Sequence, residues 1–353
     1  MAGTNGNGET LKQSPAQPKK YTAKDFASDQ DVRWCPGCGD YSVLAQVQRI
    51  LPDLDVPKEK QIFISGIGCS SRFPYYMNAY GIHGIHGRAP AIASGVKSAN
   101  PDLTVWVATG DGDALSIGGN HIIHALRRNI GLKILMFNNR IYGLTKGQYS
   151  PTSELGKKTK SSPFGTIDYP FNPVQLALGS GGTFVARSMD RDPKHLQQVL
   201  LRAAKHDGTA FIDIFQNCNV FNDGAYFLYT EKDTRPDNVL YVEHGKPLVF
   251  GKGNDKGIKL EGFTPKVISL KDGKHSISDV LVYDETSYEL AVLVATFGDR
   301  PGFPMPIGVF FKADRPSYEK MMTDQIEAVT KKRGAGDLDK LLKSGNTWTV
   351  TAN

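Results

Sequence analysis

Short apolar runs alternate with helical patterns along most of the first two thirds of this chain. Five of the runs are continuously apolar and rich in β-branched residues, which is typical of strands buried on both faces of a parallel sheet. The predicted strands span residues 62–65, 103–108, 133–137, 182–185 and 210–214. The predicted helices between them span residues 40–51, 89–99, 118–130, 173–180 and 193–206. This alternation predicts an α/β fold with a doubly wound, mostly parallel sheet and right-handed crossovers.

The two ends of the chain differ from this central part. Residues 1–20 are rich in Gly, Asn, Gln, Pro and Lys, and we predict a flexible tail there. The α/β domain is predicted over residues 21–230. Beyond it the alternating pattern weakens and turn-forming stretches appear. We therefore predict that residues 231–353 form a C-terminal extension, with a helix over 316–332, which covers the core or a neighbouring subunit.

The composition of the 353 residues is 40% hydrophobic and 22% charged, which provides a packed core and excludes disorder of the whole chain. No stretch approaches the ~18 consecutive apolar residues of a membrane span, and the N-terminal residues lack an apolar signal-peptide core. We therefore expect a cytoplasmic protein without a membrane partner. The net charge of +6 is spread along the chain, which argues against a nucleic-acid-binding surface. It leaves open either a plain basic surface or the steering of an acidic partner or an anionic substrate.

The four cysteines, Cys35, Cys38, Cys69 and Cys218, are too few for a disulfide scaffold in a protein of this length. The first two form a Cys-x-x-Cys pair, and each of the others follows a predicted strand. Four thiolates can bind a [4Fe–4S] cluster or a tetrahedral Zn²⁺. Zinc usually recruits two short cysteine pairs, whereas here one pair joins two single cysteines. Spacing alone leaves the cluster and zinc open, together with unliganded buried thiols.

Oxygen ligands follow two of the predicted strands, at the edge of an α/β sheet where ligands bind. The strand over 103–108 runs into Gly-Asp-Gly-Asp at 110–113, and Asn139 follows the next strand 28 positions after Asp111. The Asp111 carboxylate, the Asn139 amide and the carbonyl of Ile141 are ligands suited to Mg²⁺. The two glycines let the backbone approach a diphosphate closely.

This pair of segments resembles the thiamine-diphosphate motif, in which Gly-Asp-Gly is followed about thirty residues later by Asn-Asn. A lone Gly-Asp-Gly is usually a simple turn. The match is specific because a helix and an apolar strand are predicted between its two parts. A thiamine site also favours the cluster over zinc, because zinc offers no electron acceptor.

Longer segments resemble the β subunit of 2-oxoacid:ferredoxin oxidoreductases, most closely the 2-oxoglutarate branch. They are WCPGCGD at 34–40, IGCSSR at 67–72, IHGRAP at 85–90, GDGDALSIGGNH at 110–121 and NNRIYGLTKGQYSPT at 138–152. The resemblance runs in consistent order from about Phe26 to Phe221, and the C-terminal third matches more loosely. It implies a thiamine-diphosphate-binding fold. It also implies oxidative decarboxylation of a 2-oxoacid to acyl-CoA and CO₂, with electrons passing through a cluster to ferredoxin.

The resemblance also implies which residues bind the cofactors. In that family four cysteines hold one [4Fe–4S] cluster, which assigns the cluster to the four cysteines of this chain. The thiamine cofactor would contact Ile67, Gly68, Cys69, Ser70, His86, Gly110, Gly112, Asp113, Gly143 and Leu144.

Two residues are expected to act beside the cofactor and the substrate. His86 would contact the cofactor or the substrate side, and the alternative is a hydrogen-bonded structural histidine. Arg72 would face the substrate carboxylate, because a guanidinium suits bidentate recognition, and the alternative is a surface arginine. We expect structural roles for three further histidines, His83, His121 and His124.

One required group is missing from the chain. Thiamine enzymes need a carboxylate beside the aminopyrimidine ring, none can be assigned here, and the resemblance implies that a glutamate of an α subunit provides it. We expect an α₂β₂ enzyme, or another multiple of αβ, that is active only with its α subunit and binds ferredoxin, a 2-oxoacid and coenzyme A. The sequence does not select between 2-oxoglutarate, pyruvate and other 2-oxoacids.

Two other hypotheses remain. One is a thiamine-dependent decarboxylase or synthase subunit with a structural zinc. The other is a non-catalytic scaffold subunit, against which the intact Asp111 and Asn139 argue.

Overall fold

The computed structural model describes residues 20–351. The predicted tail at residues 1–20 lies, apart from Lys20, outside the described residues. The strands are β1 (Gln61–Ser65), β2 (Tyr80–His83), β3 (Thr104–Gly110), β4 (Leu132–Asn138), β5 (Phe184–Met189), β6 (Ala210–Phe215), β7 (Val239–Val242), β8 (Val249–Phe250), β9 (Lys256–Glu261), β10 (Thr264–Ser269) and β11 (Met305–Lys312). The α-helices are α1 (Asp40–Ile50), α2 (Ala89–Ala99), α3 (Asp111–Leu115), α4 (Gly119–Arg128), α5 (Pro173–Gly179), α6 (Pro193–Ala204), α7 (Phe227–Thr230), α8 (Arg235–Asn238), α9 (Tyr288–Ala295), α10 (Tyr318–Arg333) and α11 (Leu338–Leu342).

Eight strands form the central sheet in the order β2-β1-β3-β4-β6-β5-β11-β7. The strands from β2 to β5 in that order are all parallel, β11 runs antiparallel to β5, and β7 is parallel to β11. The five predicted strands are confirmed as β1, β3, β4, β5 and β6, with ends shifted by at most four residues. The mostly parallel sheet is confirmed with them. Strands β8, β9 and β10 form a separate antiparallel sheet.

Helices cover both faces of the central sheet, as a doubly wound fold requires. On one face, α1 and α6 bury apolar residues such as Val47 and Leu200. On the other face, α2, α4, α5 and α9 bury residues such as Ile122, Val174 and Val294. The helices predicted between the strands are confirmed as α1, α2, α4, α5 and α6. Because both faces of the sheet are covered, its interior strands are buried along their whole length, which explains their continuous apolar runs.

Three strands of the central sheet, β2, β7 and β11, were not predicted from the sequence. β2 lies at the edge and its side chains are mostly exposed, so it has no apolar run. β7 and β11 come from beyond residue 230, and β11 contains Pro306 and Gly308, which interrupt its apolar run. Gly308 has a φ of +141°, and a Cβ there would lie 2.3 Å from the Val242 carbonyl oxygen of β7, so this pairing requires glycine. The division of the chain at residue 230 stays a prediction, and two strands beyond it belong to the central sheet.

The C-terminal helix α10 confirms the helix predicted over 316–332. Its buried Glu319 accepts hydrogen bonds from the Gly131 N–H through both carboxylate oxygens, at 3.2 and 3.1 Å. Every side chain from residue 324 to residue 351 is exposed. Among the helices within residues 20–351, none combines the length and the apolar character that a membrane crossing requires.

Asn129 joins this C-terminal segment to the core. It follows α4 in the left-handed region, at a φ of 54°. Its buried side-chain oxygen accepts from the Thr183 hydroxyl at 2.6 Å and from the Thr209 N–H at 3.0 Å. Its amino group donates to the Arg315 carbonyl at 2.8 Å. One side chain therefore satisfies polar groups from three separate parts of the chain.

We expect Asn129→Ala to lower the free energy of unfolding by about 2–4 kcal/mol. The substitution leaves buried donors without an acceptor, and it places alanine in a left-handed backbone conformation that L residues disfavour. Urea denaturation measures this change. Asn254→Ala is the matched control, since Asn254 is exposed and also has a positive φ, of 55°. The control should cost about 1 kcal/mol or less. Equal losses in the two variants would show that the buried hydrogen bonds of Asn129 contribute nothing.

Candidate functional site

The candidate site lies in the crevice where the strand order reverses. In the sheet, β1 lies between β2 and β3, which are the next two strands of the chain. Ligands of doubly wound sheets bind where the strand order changes direction in this way. A cavity of about 530 Å³ opens there. Its lining includes every residue predicted to contact the thiamine cofactor or Mg²⁺, namely Ile67, Gly68, Cys69, Ser70, His86, Gly110, Asp111, Gly112, Asp113, Asn139, Ile141, Gly143 and Leu144. The structure brings these residues together, and their roles stay predictions.

Asp111 begins helix α3 directly after β3, and its side chain is buried. The hydroxyls of Ser150 and Thr152 both lie 2.5 Å from its Oδ2. Burial raises the pKa of this carboxyl, and the two hydroxyl donors offset only part of that effect. A buried carboxylate surrounded by neutral donors is stabilised by a nearby cation, so the environment of Asp111 fits a divalent ion.

Asn139 follows β4, the neighbour of β3, and its amide is held at both ends. The amino group donates to the Gln216 side-chain oxygen at 2.8 Å, and the amide oxygen accepts from the Ile141 N–H at 3.1 Å. The amide oxygen keeps a second lone pair for another partner. Asp111, Asn139 and the Ile141 carbonyl therefore offer the oxygen donors that Mg²⁺ prefers.

Asp113 organises one wall of the cavity through hydrogen bonds within the protein. Its Oδ1 accepts from the Ile67 N–H at 3.1 Å, the Gly87 N–H at 2.7 Å and Nδ1 of His86 at 2.7 Å. Its Oδ2 accepts from the Thr109 hydroxyl at 2.6 Å. Because the Asp113 carboxylate only accepts, His86 donates through Nδ1, and its Nε2 carries the lone pair. Asp113 thus holds His86 in one tautomer at the cavity wall.

Glycines keep the cavity open at three points. Gly68 has a φ of +128°, which L side chains rarely adopt, and a Cβ there would meet no atom within 4 Å. A Cβ at Gly112 would lie 2.3 Å from the ring of Tyr142, whose hydroxyl donates to the Gly112 carbonyl at 3.0 Å. A Cβ at Gly143 would point at sulfur, 3.4 Å from Cys218 Sγ and 3.8 Å from Cys69 Sγ. These bare backbone surfaces form a cradle for a ligand that needs close contact.

The cysteines lie beside this cavity, on the other side of Gly143. Cys69 belongs to the cavity wall, and its carbonyl accepts from the Trp34 indole N–H at 2.7 Å. Burial, followed by the Asp40 carboxylate and by the Cys218 and Cys35 thiols, raises the pKa of Cys69 to about 12.

Cys38 belongs to the same group of sulfurs. Burial raises the pKa of its thiol most, and the Asp40 carboxylate and the Cys218 and Cys69 thiols raise it as well. Its backbone N–H donates to the Cys35 carbonyl at 3.0 Å. The four thiols therefore share one neighbourhood.

The four thiols could hold a single metal ion or an inorganic cluster. A single Zn²⁺ requires sulfurs about 2.3 Å from one point. Within residues 20–351, no three His, Cys, Asp or Glu side chains are grouped closely enough for a single metal ion. The choice between a [4Fe–4S] cluster and Zn²⁺ for the four thiols therefore stays a prediction.

Several predicted residues lie outside the cavity lining. Arg72 is one of them, and its guanidinium lies at the surface, 3.5 Å from the Arg33 carbonyl. The Arg72 side chain is half-buried, and its role toward the substrate stays a prediction. The three histidines expected to be structural, His83, His121 and His124, are also absent from the lining.

Residues that were not predicted from the sequence also surround the site, among them four that lie against Asp111, Gly112 and Asn139. Ser150 and Thr152 donate to Asp111, Tyr142 packs over Gly112, and Gln216 holds Asn139. Three of these four lie within the segment 138–152 that carries the resemblance, so that segment could have indicated them. Gln216 precedes Cys218 by two positions, and its short-range sequence context indicates no role.

Comparisons with known proteins agree with this arrangement. A family model described as thiamine pyrophosphate enzyme, C-terminal TPP binding domain, matches residues 66–214. The 2-oxoglutarate oxidoreductase subunit KorB of Mycobacterium tuberculosis is 50% identical over 340 residues, which cover 95% of this chain and 89% of that protein. The 2-oxoacid:ferredoxin oxidoreductase subunit beta of Saccharolobus solfataricus is 48% identical over 192 residues, which cover 54% of this chain and 63% of that protein.

A solved structure is also similar. It is the 2-oxoglutarate:ferredoxin oxidoreductase from Magnetococcus marinus with 2-oxoglutarate, coenzyme A and succinyl-CoA bound. The two chains share 32% sequence identity and a TM-score of 0.74, and the match covers 94% of this chain and 98% of that one. This match and the family model confirm the thiamine-diphosphate-binding fold class.

We expect Gly112→Ala to lower the free energy of unfolding by about 1–3 kcal/mol, because its Cβ would displace the Tyr142 ring. Combining it with Tyr142→Ala should cost less than the sum of the two single changes, which a double-mutant cycle measures. Gly95→Ala in helix α2 is the control, since a Cβ there meets nothing within 4 Å. It should be neutral or stabilise by about 0.5–1 kcal/mol. Strict additivity between positions 112 and 142 would contradict the predicted steric conflict.

Proposed function

We propose that this chain, which belongs to the β subunits of the 2-oxoacid:ferredoxin oxidoreductases, acts on 2-oxoglutarate. The proposed reaction is oxidative decarboxylation to succinyl-CoA and CO₂, with electrons passed to ferredoxin. One observation supports this function most directly. The Gly143 backbone faces the thiols of Cys69 and Cys218, while the cavity that it lines also contains Asp111 and Asn139. A cofactor site and an electron-accepting site can thus lie in direct contact.

Thiamine diphosphate and Mg²⁺ fit the cavity by the chemistry of its donors. Asp111, Asn139 and the Ile141 carbonyl would hold the magnesium ion, and diphosphate oxygens would complete its coordination. The bare backbone at Gly110 and Gly112 would face the diphosphate. When bound, the cofactor supplies the electron sink that decarboxylation of a 2-oxoacid needs.

A [4Fe–4S] cluster fits the four thiols. Cys35, Cys38, Cys69 and Cys218 would each provide one thiolate, which is the usual ligand set of such a cluster. Burial raises the pKa values of the Cys38 and Cys69 thiols, so a thiolate at these two positions is costly without a cationic iron centre. The cluster would supply a one-electron acceptor beside the cofactor.

His86 and the apolar rim are the parts of this chain that would face the substrate. Asp113 holds the His86 Nδ1–H, so the Nε2 lone pair can take or return a proton at the cavity wall. Ile67 and Leu144 line the same cavity and are 37% and 45% exposed in the single chain. Covering these two side chains by a partner would exclude water from the reacting groups.

The α subunit would complete the site. Among the described residues that line the cavity there is no Glu, Lys or Arg. The carboxylate that activates the cofactor and the cations that recognise the two carboxylates of 2-oxoglutarate would therefore come from α. The proposal also includes an α₂β₂ assembly, or another multiple of αβ, that binds coenzyme A and ferredoxin, and a cytoplasmic location.

The thiamine-dependent decarboxylase or synthase with a structural zinc is the less favoured alternative. Zinc would offer no electron acceptor beside the proposed cofactor. A scaffold subunit would also have no physical reason to bury Asp111 under two hydroxyl donors beside an open cavity.

The function is tested by producing the chain together with its α subunit. We expect CoA-dependent reduction of a viologen dye, with kcat/KM for 2-oxoglutarate at least about tenfold above that for pyruvate. The chain without α should be inactive, because the cavity lacks the activating carboxylate. Dye reduction that does not need coenzyme A, or a preference for pyruvate, would contradict the proposal.

Two substitutions should remove one cofactor each. We expect Asp111→Ala to weaken Mg²⁺-dependent thiamine diphosphate binding on the order of 100-fold while leaving iron content unchanged. Cys218→Ser should lower iron content and visible absorption while leaving thiamine diphosphate binding close to normal. Calorimetry and iron analysis measure the two effects.

Asp102→Ala is the control for these variants, since Asp102 only forms a surface ion pair with Lys60, at 3.4 Å. It should retain both cofactors. A colourless wild-type protein with stoichiometric zinc would instead support the zinc alternative. Retained thiamine diphosphate binding in the Asp111 variant would remove that residue from the magnesium ligands.

A further inference from the structure

Gln216, the first residue after β6, uses both ends of its buried side-chain amide. Its Oε1 accepts from the Asn139 amino group at 2.8 Å. Its Nε2 donates to the Asn217 carbonyl at 2.6 Å and to Cys38 Sγ at 3.2 Å. Its backbone N–H also donates to the Asn138 carbonyl, at 2.9 Å. The side chain therefore spans the gap between a proposed magnesium ligand and a proposed cluster ligand.

The surroundings allow only one orientation of this amide. In the reversed orientation, the Gln216 oxygen would face the Asn217 carbonyl oxygen, which is also an acceptor. The amino groups of Gln216 and Asn139 would then also face each other, and neither can accept. The orientation with Nε2 toward sulfur satisfies every group, so both protons of Nε2 and one lone pair of Oε1 have defined partners.

We propose that Gln216 is a positioning residue that orients the Asn139 amide for magnesium and donates an N–H···S hydrogen bond that tunes the cluster. This inference rests on the proposed cofactors. Because the Asn139 amino group is held by Gln216, the Asn139 oxygen is the atom left to face the cavity. The Gln216 side chain would thus orient the Asn139 amide at the magnesium site and shift the reduction potential of the cluster.

The hydrogen bond to sulfur has a defined electronic effect. A donor to a cluster thiolate stabilises the more negative, reduced state, so it raises the reduction potential. Loss of the donor should make the cluster harder to reduce. Loss of the Oε1 acceptor should let the Asn139 amide rotate and weaken magnesium binding, since residues that orient metal ligands typically contribute 10–100-fold in affinity.

Two substitutions separate these effects in the assembled enzyme. Gln216→Leu removes both hydrogen bonds, so we expect a more negative cluster potential and an approximately tenfold weaker Mg²⁺ dependence of thiamine diphosphate binding. Gln216→Glu keeps an acceptor for Asn139 but replaces the donor to sulfur. We expect it to retain wild-type Mg²⁺ dependence and to shift the potential in the same negative direction. A tenfold change in the ratio of reduced to oxidised cluster corresponds to about 59 mV.

Gln61→Leu is the matched control, because Gln61 is also fully buried and accepts from the Trp106 indole N–H at 3.0 Å, at the opposite end of the sheet. It should change neither the potential nor the Mg²⁺ dependence. Unchanged values in both Gln216 variants with full iron content would overturn the proposal.

A measurement on the wild-type enzyme decides the question if the variants lose their cluster. With ¹⁵N placed at glutamine side-chain amides, the reduced cluster should show a ¹⁵N hyperfine coupling. Its absence would overturn the hydrogen bond. A wild-type enzyme without iron, or without Mg²⁺-dependent thiamine diphosphate binding, would instead refute the proposed cofactors, which is a different result.

Discussion

The parallel pairing of β1, β3, β4 and β6 is the constraint on which the rest of this structure depends. The backbone hydrogen bonds align Ser65 with Ala108, Gly110 with Phe137 and Asn138 with Phe215. All four strands therefore end at one edge of the sheet, and the loops that follow them meet there. A shift of one residue in any of these pairings would turn every side chain of that strand to the other face. The buried apolar faces on both sides of the sheet resist such a shift, so the core fixes the site.

Acidic residues buried at or near this edge lose their hydration, and three of them, Asp213, Asp113 and Asp111, are compensated in different ways. Asp213 is paired with the buried guanidinium of Arg187 at 2.8 Å and also accepts from the Asn138 amino group. Asp113 accepts from backbone N–H groups, a hydroxyl and a histidine. Asp111 has only two side-chain donors, both neutral hydroxyls, and its pKa is raised by burial. Asp111 is held by neutral donors alone, and it faces a cavity suited to a cation.

The strands and the central motifs could be predicted from the sequence because each depends on a short stretch of chain. Continuous apolar runs identified β1, β3, β4, β5 and β6, and the spacing of Asp111 and Asn139 placed them at neighbouring strand ends. The features that could not be predicted depend on contacts between residues far apart in the sequence. Thr152 reaches Asp111 across 41 positions and Gln216 reaches Asn139 across 77. Likewise, β11 has an apolar run broken by Pro306 and Gly308, and only its tertiary pairing reveals it as a strand.

Three of the four strand-end loops at this edge, those after β1, β4 and β6, contribute both to the cavity and to the surroundings of the thiols. After β1, Gly68 opens the cavity and the next residue, Cys69, belongs to the thiols. After β4, Asn139 provides an oxygen donor, and four residues later Gly143 lies against sulfur. After β6, Gln216 touches Asn139 and is followed two residues later by Cys218. Because these pairs are separated by at most four residues, a loop cannot move at one centre without moving at the other. If the proposed cofactor and cluster are bound here, the covalent chain itself would hold them at a fixed separation.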